Sequence, residues 1–393
     1  MLRNRKILLA VSGGIAAYKA IELCSMLKKS GAQVKVIFTE NAGKFASELT
    51  FEVISQNKVY SSLWNAAVPI PHIELADWAD MIVIAPATAN VIAKIAQGIG
   101  DDLLSSTMLA AHSPVLIVPA MNINMYNNAA TAANIELLRT RGFLFMEPEC
   151  GMLACGYQGK GRYPANQEIL YYLMTYLKHG LAWKGKKVLV TAGACREDID
   201  PMRFITNHST GKMGIALARA AHILGAEVTL IAAHVTASLP EYINTIRAYN
   251  AEEMLAACTK EFPETDLLIM NAAVSDYKPA ITQTEKIKKA GNLTLELHRT
   301  VDVLSALVKM KKPGQLICGF AAESQDIVAG GKAKLVKKNL DYIVANDLRV
   351  AGADLTSCTF ISPESQIDMI GEKYPVALQI LDFISPDIIK DEK

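Results

Sequence analysis

The feature that most constrains the fold is a succession of strand, glycine turn and amphipathic helix, which occurs twice in the chain. The apolar run Lys6–Val11 is followed by Ser12-Gly13-Gly14 and a helical pattern over 15–29. In the second half, Lys186–Val190 is followed in the same way by Thr191-Ala192-Gly193. Further apolar runs alternate with helical segments at a spacing typical of parallel sheets covered by helices on both faces. The sequence therefore predicts an α/β chain of two doubly wound, Rossmann-like domains.

The length of 393 residues suits two domains of ordinary size. His179-Gly180 ends a predicted helix, and Trp183-Lys184-Gly185 precedes the first strand of the second half. We therefore expect one domain over residues 1–183 and another over residues 184–393. The other predicted strands are Gln33–Phe38, Met81–Ala85, Val115–Val118, Phe143–Met146, Gly225–Ala233, Leu267–Met270, Leu316–Gly319, Tyr342–Ala345 and Thr359–Ile361.

Charge and hydropathy argue against two classes of protein. Forty Lys and Arg residues against 39 Asp and Glu residues leave a net charge of +1, so bulk charge does not drive nucleic-acid binding. The most apolar stretches, Ile7–Tyr18 and Met81–Ala96, are too short or too interrupted to span a bilayer. Seven cysteines without a CxxC pair, in a chain with no convincing signal peptide, indicate reduced thiols. We expect a cytoplasmic protein with no membrane span and no nucleic-acid partner.

Small and polar residues follow several predicted strands of the first half. Ser12-Gly13-Gly14 can bring backbone N–H groups close to a phosphate at a helix N-terminus, but it can equally be a tight turn. It does not match the GxGxxG fingerprint of NAD-binding domains. Asn90 and Asn122 each follow a strand, where asparagine is often a helix cap. Two such residues at equivalent strand ends favour a shared ligand site.

Two further residues of the first half are candidates for chemistry. His72 lies in a segment bounded by prolines, and a lone histidine is more often structural than catalytic. Cys155 lies in the glycine-rich segment Gly151–Arg162, which predicts a mobile loop or lid whose thiol can reach a substrate.

Five motifs of the first half, in order, resemble those of the flavin-containing cysteine decarboxylases, a group that includes phosphopantothenoylcysteine decarboxylase. They are SGGIAAYK, HIEL, APATAN, PAMN and LACGxxGxGR, and together they cover residues 6–162. The resemblance implies a flavoprotein fold for this domain and FMN as its cofactor.

The resemblance also implies roles for individual residues. His72 and Cys155 correspond to the catalytic histidine and cysteine, and Asn122 to the asparagine that binds the substrate carboxylate. Hydride transfer from the thiol-bearing carbon to FMN creates the electron sink that decarboxylation needs, and Cys155 then supplies a proton. The residues implied to hold the flavin are Ser12, Gly13, Gly14, Thr39, Thr88, Asn90 and Ser105.

The second half carries three polar segments and a lysine cluster. An insertion over 195–210, at the first strand–helix junction, leads into the polar segment Asp200–Gly214. Asn271–Tyr277 follows a strand, and Lys286-Ile287-Lys288-Lys289 is basic. A second lysine cluster lies over 332–338. A charge run is usually a solvated face, but two clusters in a chain of balanced charge favour a polyanion such as a triphosphate.

These segments closely resemble phosphopantothenate–cysteine ligase, so the whole chain resembles the bacterial bifunctional coenzyme A biosynthesis family. The resemblance implies CTP as co-substrate, phosphopantothenate and cysteine as substrates, an acyl-cytidylate intermediate, and Mg²⁺ or Mn²⁺ as the metal. It implies that Asp276 handles the metal and that Lys286 is catalytic. The other residues implied to bind substrate or nucleotide are Arg203, Asn207, Met270, Asn271, Ala272, Val301, Asp302, Val303, Leu304, Phe320, Lys334 and Lys338.

Two positions depart from the pattern of that family. Cys195 stands where threonine is common, and Thr300-Val301-Asp302 stands where Asn-Pro-Asp is common. We expect the first change to be harmless because the side chain stays small. The second frees the backbone that proline restricts, so contacts from Val301 are less certain than those from Lys286.

The resemblance further implies a homo-oligomer, with a trimer-based decarboxylase half that can assemble into a dodecamer and a dimeric ligase half. Two alternatives stay open at this stage. One is a flavin-fold regulatory or binding subunit without catalysis, which is disfavoured because His72, Asn122 and Cys155 are all present. The other is an NAD(P)-linked reductase, which is disfavoured by the missing GxGxxG fingerprint.

Overall fold

The computed structural model describes residues 2–64, 69–152, 156, 158–288, 292–323, 326–347 and 355–390. The chain forms two compact units, Met1–Leu177 and Lys178–Lys393. Both are layered α/β structures, which confirms the predicted fold class.

The described strands of the N-terminal unit are β1 (Lys6–Val11), β2 (Gln33–Phe38), β3 (Val59–Tyr60), β4 (Met81–Ala87), β5 (Val115–Pro119), β6 (Leu144–Phe145), β7 (Glu149–Met152) and β8 (Gln158–Arg162). Strands β1 to β6 form a parallel sheet in the order β3-β2-β1-β4-β5-β6, which helices cover. The unit also contains a separate antiparallel hairpin of β7 and β8. Its helices are α1 (Ala17–Lys29), α2 (Glu48–Ser55), α3 (Pro71–Trp78), α4 (Ala89–Gln97), α5 (Leu103–Ala110), α6 (Ile123–Tyr126), α7 (Ala129–Thr140) and α8 (Asn166–His179), which reaches the boundary between the units.

The C-terminal unit repeats this strand order and extends it. Its strands are β9 (Lys187–Ala192), β10 (Arg196–Asp200), β11 (Arg203–Thr206), β12 (Glu227–Ala232), β13 (Asn244–Arg247), β14 (Leu267–Met270), β15 (Tyr277–Pro279), β16 (Leu297–Arg299), β17 (Leu316–Glu323), β18 (Tyr342–Asp347), β19 (Leu355–Ile361) and β20 (Gln366–Glu372). The main sheet has the order β13-β12-β9-β14-β17-β18-β19-β20, in which β19 and β20 are antiparallel additions at one edge. The helices are α9 (Lys212–Ile223), α10 (Ala251–Glu261), α11 (Val303–Val308), α12 (Ile327–Lys337) and α13 (Lys373–Ile389).

Each sheet therefore has a topological switch point, where successive connections leave in opposite directions. In the first sheet it lies between β1 and β4, and in the second between β9 and β14. Ligands of doubly wound sheets bind beyond the carboxyl ends of the strands at this point. The central strands are apolar and almost fully buried, as strands covered on both faces must be.

Two segments predicted as loops contain strands instead. Gly151–Arg162, predicted as a mobile loop or lid, contributes to the β7–β8 hairpin, and the predicted insertion at 195–210 contains the β10–β11 hairpin. The domain boundary at 183/184 stays a prediction. Trp183 itself is buried and donates from Nε1 to Ser385 Oγ at 3.0 Å, within the C-terminal unit. Among the described residues, no helix combines the length and hydropathy needed to cross a bilayer.

Candidate functional site

A cleft of about 950 Å³ lies in the C-terminal unit at the carboxyl ends of β14, β17 and β18, beside the start of α9. Most of the residues predicted to bind nucleotide or substrate line it, although they come from widely separated parts of the chain. These are Asn207, Met270, Asn271, Ala272, Asp276, Val301, Asp302, Val303, Leu304, Phe320, Lys334 and Lys338.

Arg203 and Lys286 are not among the residues that line this cleft. Arg203 lies on β11, where its guanidinium Nη1 donates to Asp200 Oδ2 at 2.7 Å and to the carbonyl of Ile287 at 3.4 Å. The side chain of Lys286, next to Ile287, is exposed. Arg203 therefore lies on the β10–β11 hairpin, and the segment that carries Lys286 is hydrogen-bonded to that hairpin through Ile287. Neither residue is among those that line the cleft.

The loop after β14 is held by a hydroxyl from β9. Thr191 Oγ1 is buried and accepts the backbone N–H groups of Asn271 and Ala272, both at 3.0 Å. The N–H of Ala273 donates to the Gly193 carbonyl at 2.8 Å. Because these N–H groups are engaged within the protein, the groups that this loop can still offer to a ligand are carbonyl oxygens and the side chain of Asn271.

Charged residues at the opposite wall are partly paired with one another. Lys338 Nζ lies 3.0 Å from both carboxylate oxygens of Asp302, which also caps α11 by accepting the N–H of Ser305 at 3.0 Å. Burial of the Asp302 carboxyl opposes ionisation, but the Ser305 and Lys338 hydrogen bonds outweigh it and lower the pKa of that group. Lys334 lies one helical turn before Lys338, so two ammonium groups face the same side of α12.

The two departures from the family pattern have structural consequences. Thr300 donates from its hydroxyl to the Ser275 carbonyl, and its N–H donates to the Asp276 carbonyl at 3.0 Å, which joins the segment to the loop after β14. Cys195 is fully buried, and burial raises the pKa of its thiol to about 12. The thiol is therefore neutral and inert at physiological pH.

Sequence reasoning missed several polar residues of the cleft, among them Arg299, Asn346, Thr356 and Lys373. Asn346 lies near the end of β18, and its Oδ1 is buried without a hydrogen-bond partner among the described residues. The signal that would have found it is the one used for Asn90 and Asn122, a polar residue at the carboxyl end of a strand.

A metal site made by the protein alone is not present in the described part of the chain, where no group of three or more His, Cys, Asp or Glu side chains converges. Asp276, the predicted metal residue, lines the cleft and is exposed. Mg²⁺ commonly takes one or two carboxylates and completes its shell with substrate phosphates and water. A single aspartate that lines the same cleft as Lys334 and Lys338 fits that pattern.

Ser12 links the two strand ends at the switch point of the N-terminal unit. Its Oγ is buried, donates to the Pro86 carbonyl at 2.7 Å and accepts the N–H of Thr88 at 3.1 Å. The neighbouring Gly13 is required by packing, since a Cβ there would lie 2.4 Å from the Cβ of Asn41. Gly14 adjoins the same turn, where a Cβ would lie 3.6 Å from Thr88 Cγ2.

The other residues predicted to hold the flavin differ in whether their polar groups are already hydrogen-bonded within the protein. Thr39 Oγ1 is buried without a partner among the described residues, whereas Asn90 is exposed on the first turn of α4. Thr88 caps α4 by accepting the N–H of Val91 at 3.4 Å. Ser105 is buried in a capping box with Asp102 at the start of α5, so its hydroxyl already has a structural role.

His72 and Asn122 are both at helix starts in this unit. His72 is the second residue of α3, and its Nδ1 is buried without a partner among the described residues. Asn122 is the N-cap of α6 and accepts the N–H of Asn124 at 2.8 Å. Cys155 lies outside the described residues.

The β7–β8 hairpin, which flanks Cys155 in sequence, is anchored to the segment that carries Asn122. The N–H of Met121 donates to the Gly161 carbonyl at 3.0 Å. Gly161 adopts a φ of +145°, and a Cβ there would lie 2.3 Å from the Met121 carbonyl oxygen. Gly161 of the motif therefore serves close packing against the loop after β5.

A partly buried ion pair adds to this anchorage. Glu147 accepts from Lys160 Nζ at 2.7 Å, from Arg139 and from the Tyr126 hydroxyl at 3.1 Å. Burial alone raises the pKa of Glu147, but the Lys160 and Arg139 charges outweigh it and hold that pKa below its usual range. Lys160 belongs to β8, so the pair fixes the hairpin to α6 and α7.

Comparisons with known proteins cover both units. Residues 183–387 match the family described as DNA/pantothenate metabolism flavoprotein C-terminal domain, and residues 1–178 match the family described as Flavoprotein. The chain is 48% identical over 367 residues to the coenzyme A biosynthesis bifunctional protein CoaBC of Bacillus subtilis, which covers 92% of this chain and 90% of that protein.

Solved structures match each unit separately. The crystal structure of the C-terminal domain of a CoaBC protein is 37% identical, covers 53% of this chain and 99% of that one, and has a TM-score of 0.47. A PPC decarboxylase mutant complexed with pantothenoylaminoethenethiol is 32% identical, covers 45% of this chain and 100% of that one, and has a TM-score of 0.42.

Proposed function

The chain belongs to the family of coenzyme A biosynthesis bifunctional proteins, and from this membership we propose what each of its two units does. The C-terminal unit joins phosphopantothenate to cysteine, and the N-terminal unit decarboxylates the phosphopantothenoylcysteine that results. The observation that carries the proposal is the identity of 48% across 92% of the chain, which extends over both units.

For ligation we propose CTP as the co-substrate and Mg²⁺ or Mn²⁺ as its metal. A carboxylate is a poor acyl donor, so phosphopantothenate attacks the α-phosphorus, pyrophosphate leaves, and the amine of cysteine then displaces CMP. Lys334 and Lys338 at the wall of the cleft offset phosphate charge, and Asp276 offers a carboxylate to the metal. Asn346 Oδ1, buried without a partner among the described residues, provides an acceptor for a donor group of the nucleotide.

We place Arg203 and Lys286 at the cleft of a second copy of the chain. Both residues are expected to act on the substrate, yet neither lines the cleft of its own copy. Arg203 belongs to the β10–β11 hairpin, and the Lys286 segment is attached to it. A ligase dimer then completes each site. Mixing Lys286→Ala with Asp276→Ala tests this arrangement: ligase activity returns on mixing if the sites are shared, and stays absent if each copy is self-sufficient.

For decarboxylation we propose that the polar groups at the first switch point hold FMN. The Thr39 hydroxyl, which is buried and has no partner in the described part of the chain, fits a phosphate or a flavin edge at this position, as does Ser12 with the Thr88 segment. When bound, FMN supplies a reversible hydride acceptor for the thiol-bearing carbon. His72 Nδ1 is available to orient or deprotonate the substrate, and the side-chain amide of Asn122 is suited to its carboxylate. Cys155 then protonates the product.

The alternative function, a flavin-fold binding subunit, gains no support from a specific observation.

One assay distinguishes the bifunctional enzyme from a binding subunit. Purified protein is scanned for flavin absorption, incubated with phosphopantothenate, cysteine, Mg²⁺ and CTP, and its products are identified by mass spectrometry. Phosphopantetheine, CMP and pyrophosphate from a yellow protein are the expected result. Accumulated phosphopantothenoylcysteine contradicts the assignment of His72, Asn122 and Cys155, and absence of both flavin and nucleotide turnover moves the binding subunit to first place.

A further inference from the structure

The carboxylate of Asp200 joins two segments of the C-terminal unit that are distant in sequence. Its side chain is completely buried at the end of β10. Oδ1 accepts the backbone N–H groups of Met202 at 2.8 Å and Arg203 at 2.9 Å. Oδ2 accepts from Arg203 Nη1 at 2.7 Å and from the N–H of Ile287 at 3.1 Å. Each carboxylate oxygen thus serves two donors.

The segment that carries Lys286 is attached to the same strand at further points. The N–H of Gln283 donates to the Ile199 carbonyl at 2.9 Å, and Thr282 Oγ1 donates to the Asp198 carbonyl at 3.1 Å. The Arg203 guanidinium donates to the carbonyl of Ile287 at 3.4 Å. Both backbone polar groups of Ile287 are therefore held by the Asp200–Arg203 pair.

We propose that Asp200 is a positioning residue for ligation, because its carboxylate fixes the backbone from which Lys286 projects. The inference rests on the proposed role of Lys286. A lysine side chain is long and flexible, and that of Lys286 is exposed, so the restraint on its ammonium group comes from the backbone beside it. Asp200 does this without contacting the substrate.

The substitution Asp200→Asn tests the proposal with little change in shape. A carboxamide offers one oxygen and one NH₂ group, but both sides of Asp200 face donors, so one pair of donors loses its acceptor. We expect the kcat of ligation to fall about 10- to 100-fold, the range that a displacement of roughly 1 Å can cause. The KM for CTP stays nearly constant, because Asp200 does not line the nucleotide cleft. Asp200→Glu, which keeps the charge, recovers part of the kcat.

Two controls accompany this measurement. Asp198→Asn changes an exposed aspartate of the same strand and retains the wild-type rate of ligation. Decarboxylation of supplied phosphopantothenoylcysteine, a reaction of the other unit, stays at the wild-type rate in every variant and reports intact protein. Wild-type kcat for ligation in Asp200→Asn overturns the proposal.

A double variant distinguishes positioning from general destabilisation. If Asp200 acts through Lys286, adding Asp200→Asn to Lys286→Ala causes little further loss of ligation. Losses that multiply, measured on the residual activity of Lys286→Ala, overturn the positioning role. Full ligation by Lys286→Ala instead contradicts the proposed role of that lysine. This result can be distinguished from failure of the positioning role of Asp200, which appears as losses that multiply.

Discussion

The hydroxyl of Thr191 accepts the backbone N–H of Asn271 at 3.0 Å, across the switch point of the C-terminal sheet. The N-terminal unit has the equivalent contact, in which Ser12 Oγ accepts the N–H of Thr88 at 3.1 Å. In the N-terminal unit the buried hydroxyl directly follows β1 and holds the segment after β4. In the C-terminal unit the buried hydroxyl lies near the end of β9 and holds the segment after β14. The two units thus fix the rim of the ligand crevice by the same means.

Replacing Thr191 by valine removes this acceptor with little change in volume. Two partly buried N–H groups, those of Asn271 and Ala272, then lose this acceptor, which costs about 1–3 kcal/mol of the free energy of unfolding of the C-terminal unit. We also expect a higher KM for CTP, measured by initial rates of pyrophosphate release. Thr191→Ser keeps the hydroxyl and is the control. Equal stability and equal KM in Thr191→Val contradict the role given to this contact.

Replacing Ser12 by alanine tests the corresponding contact in the N-terminal unit. The variant loses both the bond to the Pro86 carbonyl and the acceptor for the Thr88 N–H. Because Thr88 is expected to bind FMN, we expect flavin affinity to fall about tenfold, equivalent to roughly 1.4 kcal/mol. Flavin fluorescence titration of the stripped protein measures it. Ser113→Ala removes a hydroxyl that is buried without a partner among the described residues, and its flavin affinity is expected to match wild type.

The architecture was predictable because its central strands are continuous apolar runs. Lys6–Val11 and Leu267–Met270 begin and end where the pattern predicts, since strands buried on both faces read as nearly continuous apolar runs. The hairpins were not predictable in the same way. Gly159 and Gly161 suggested a mobile loop, yet they are small because the segment Met121–Ile123 packs against them. The sequence shows where the glycines are, but it does not show whether a mobile loop or close packing requires them.

The candidate sites were predictable by motif only in part. The motif resemblance groups Arg203 and Lys286 with the other substrate- and nucleotide-binding residues. In the structure Arg203 lies on β11, the Lys286 segment is attached to the same hairpin, and neither residue lines the cleft. Spacing along the chain carries no information about such a separation. The hydrogen bonds that the buried hydroxyls of Ser12 and Thr191 accept could not be predicted from the sequence either. Their donors lie more than 70 residues further along the chain.

The ion pair of Glu147 with Lys160 and Arg139 predicts acid sensitivity of the β8 anchorage. The pKa of Glu147 is lower in the folded protein than the unfolded value of about 4.3, so its stabilising contribution is present above that pH. The contribution is lost as the pH falls through the folded pKa. Hydrogen–deuterium exchange of peptide 158–162 is expected to be faster in Glu147→Gln than in wild type at pH 7, with the difference shrinking below pH of about 4.

A matched control for this measurement is Glu136→Gln, which changes an exposed glutamate of α7. Its exchange is expected to follow wild type at every pH. A difference between Glu147→Gln and wild type that stays constant with pH contradicts the electrostatic explanation.

Substitution of Asn346 by leucine is expected to weaken nucleotide binding without lowering the stability of the protein. Substitution by leucine removes a buried carbonyl oxygen that has no partner among the described residues, so the free energy of unfolding is expected to stay constant or rise. If that oxygen accepts from the nucleotide, the KM for CTP rises about tenfold, which corresponds to one lost hydrogen bond of roughly 1.4 kcal/mol. Urea unfolding and steady-state ligation measure the two quantities. A variant that is both less stable and unchanged in KM rejects a binding role for this oxygen.

Cys155 provides the most direct test of the decarboxylase chemistry, because its proposed step comes last. A serine hydroxyl is a far weaker acid than a thiol, so Cys155→Ser is expected to release CO₂ from phosphopantothenoylcysteine and then stop before the product is protonated. The variant keeps its flavin, and the ligase keeps its activity, since the cleft lies in the other unit. Stopped-flow absorption with product analysis separates the two stages: CO₂ forms in one burst and phosphopantetheine does not accumulate. Full turnover to phosphopantetheine assigns the proton to another donor, and loss of the CO₂ burst places the role of Cys155 before decarboxylation.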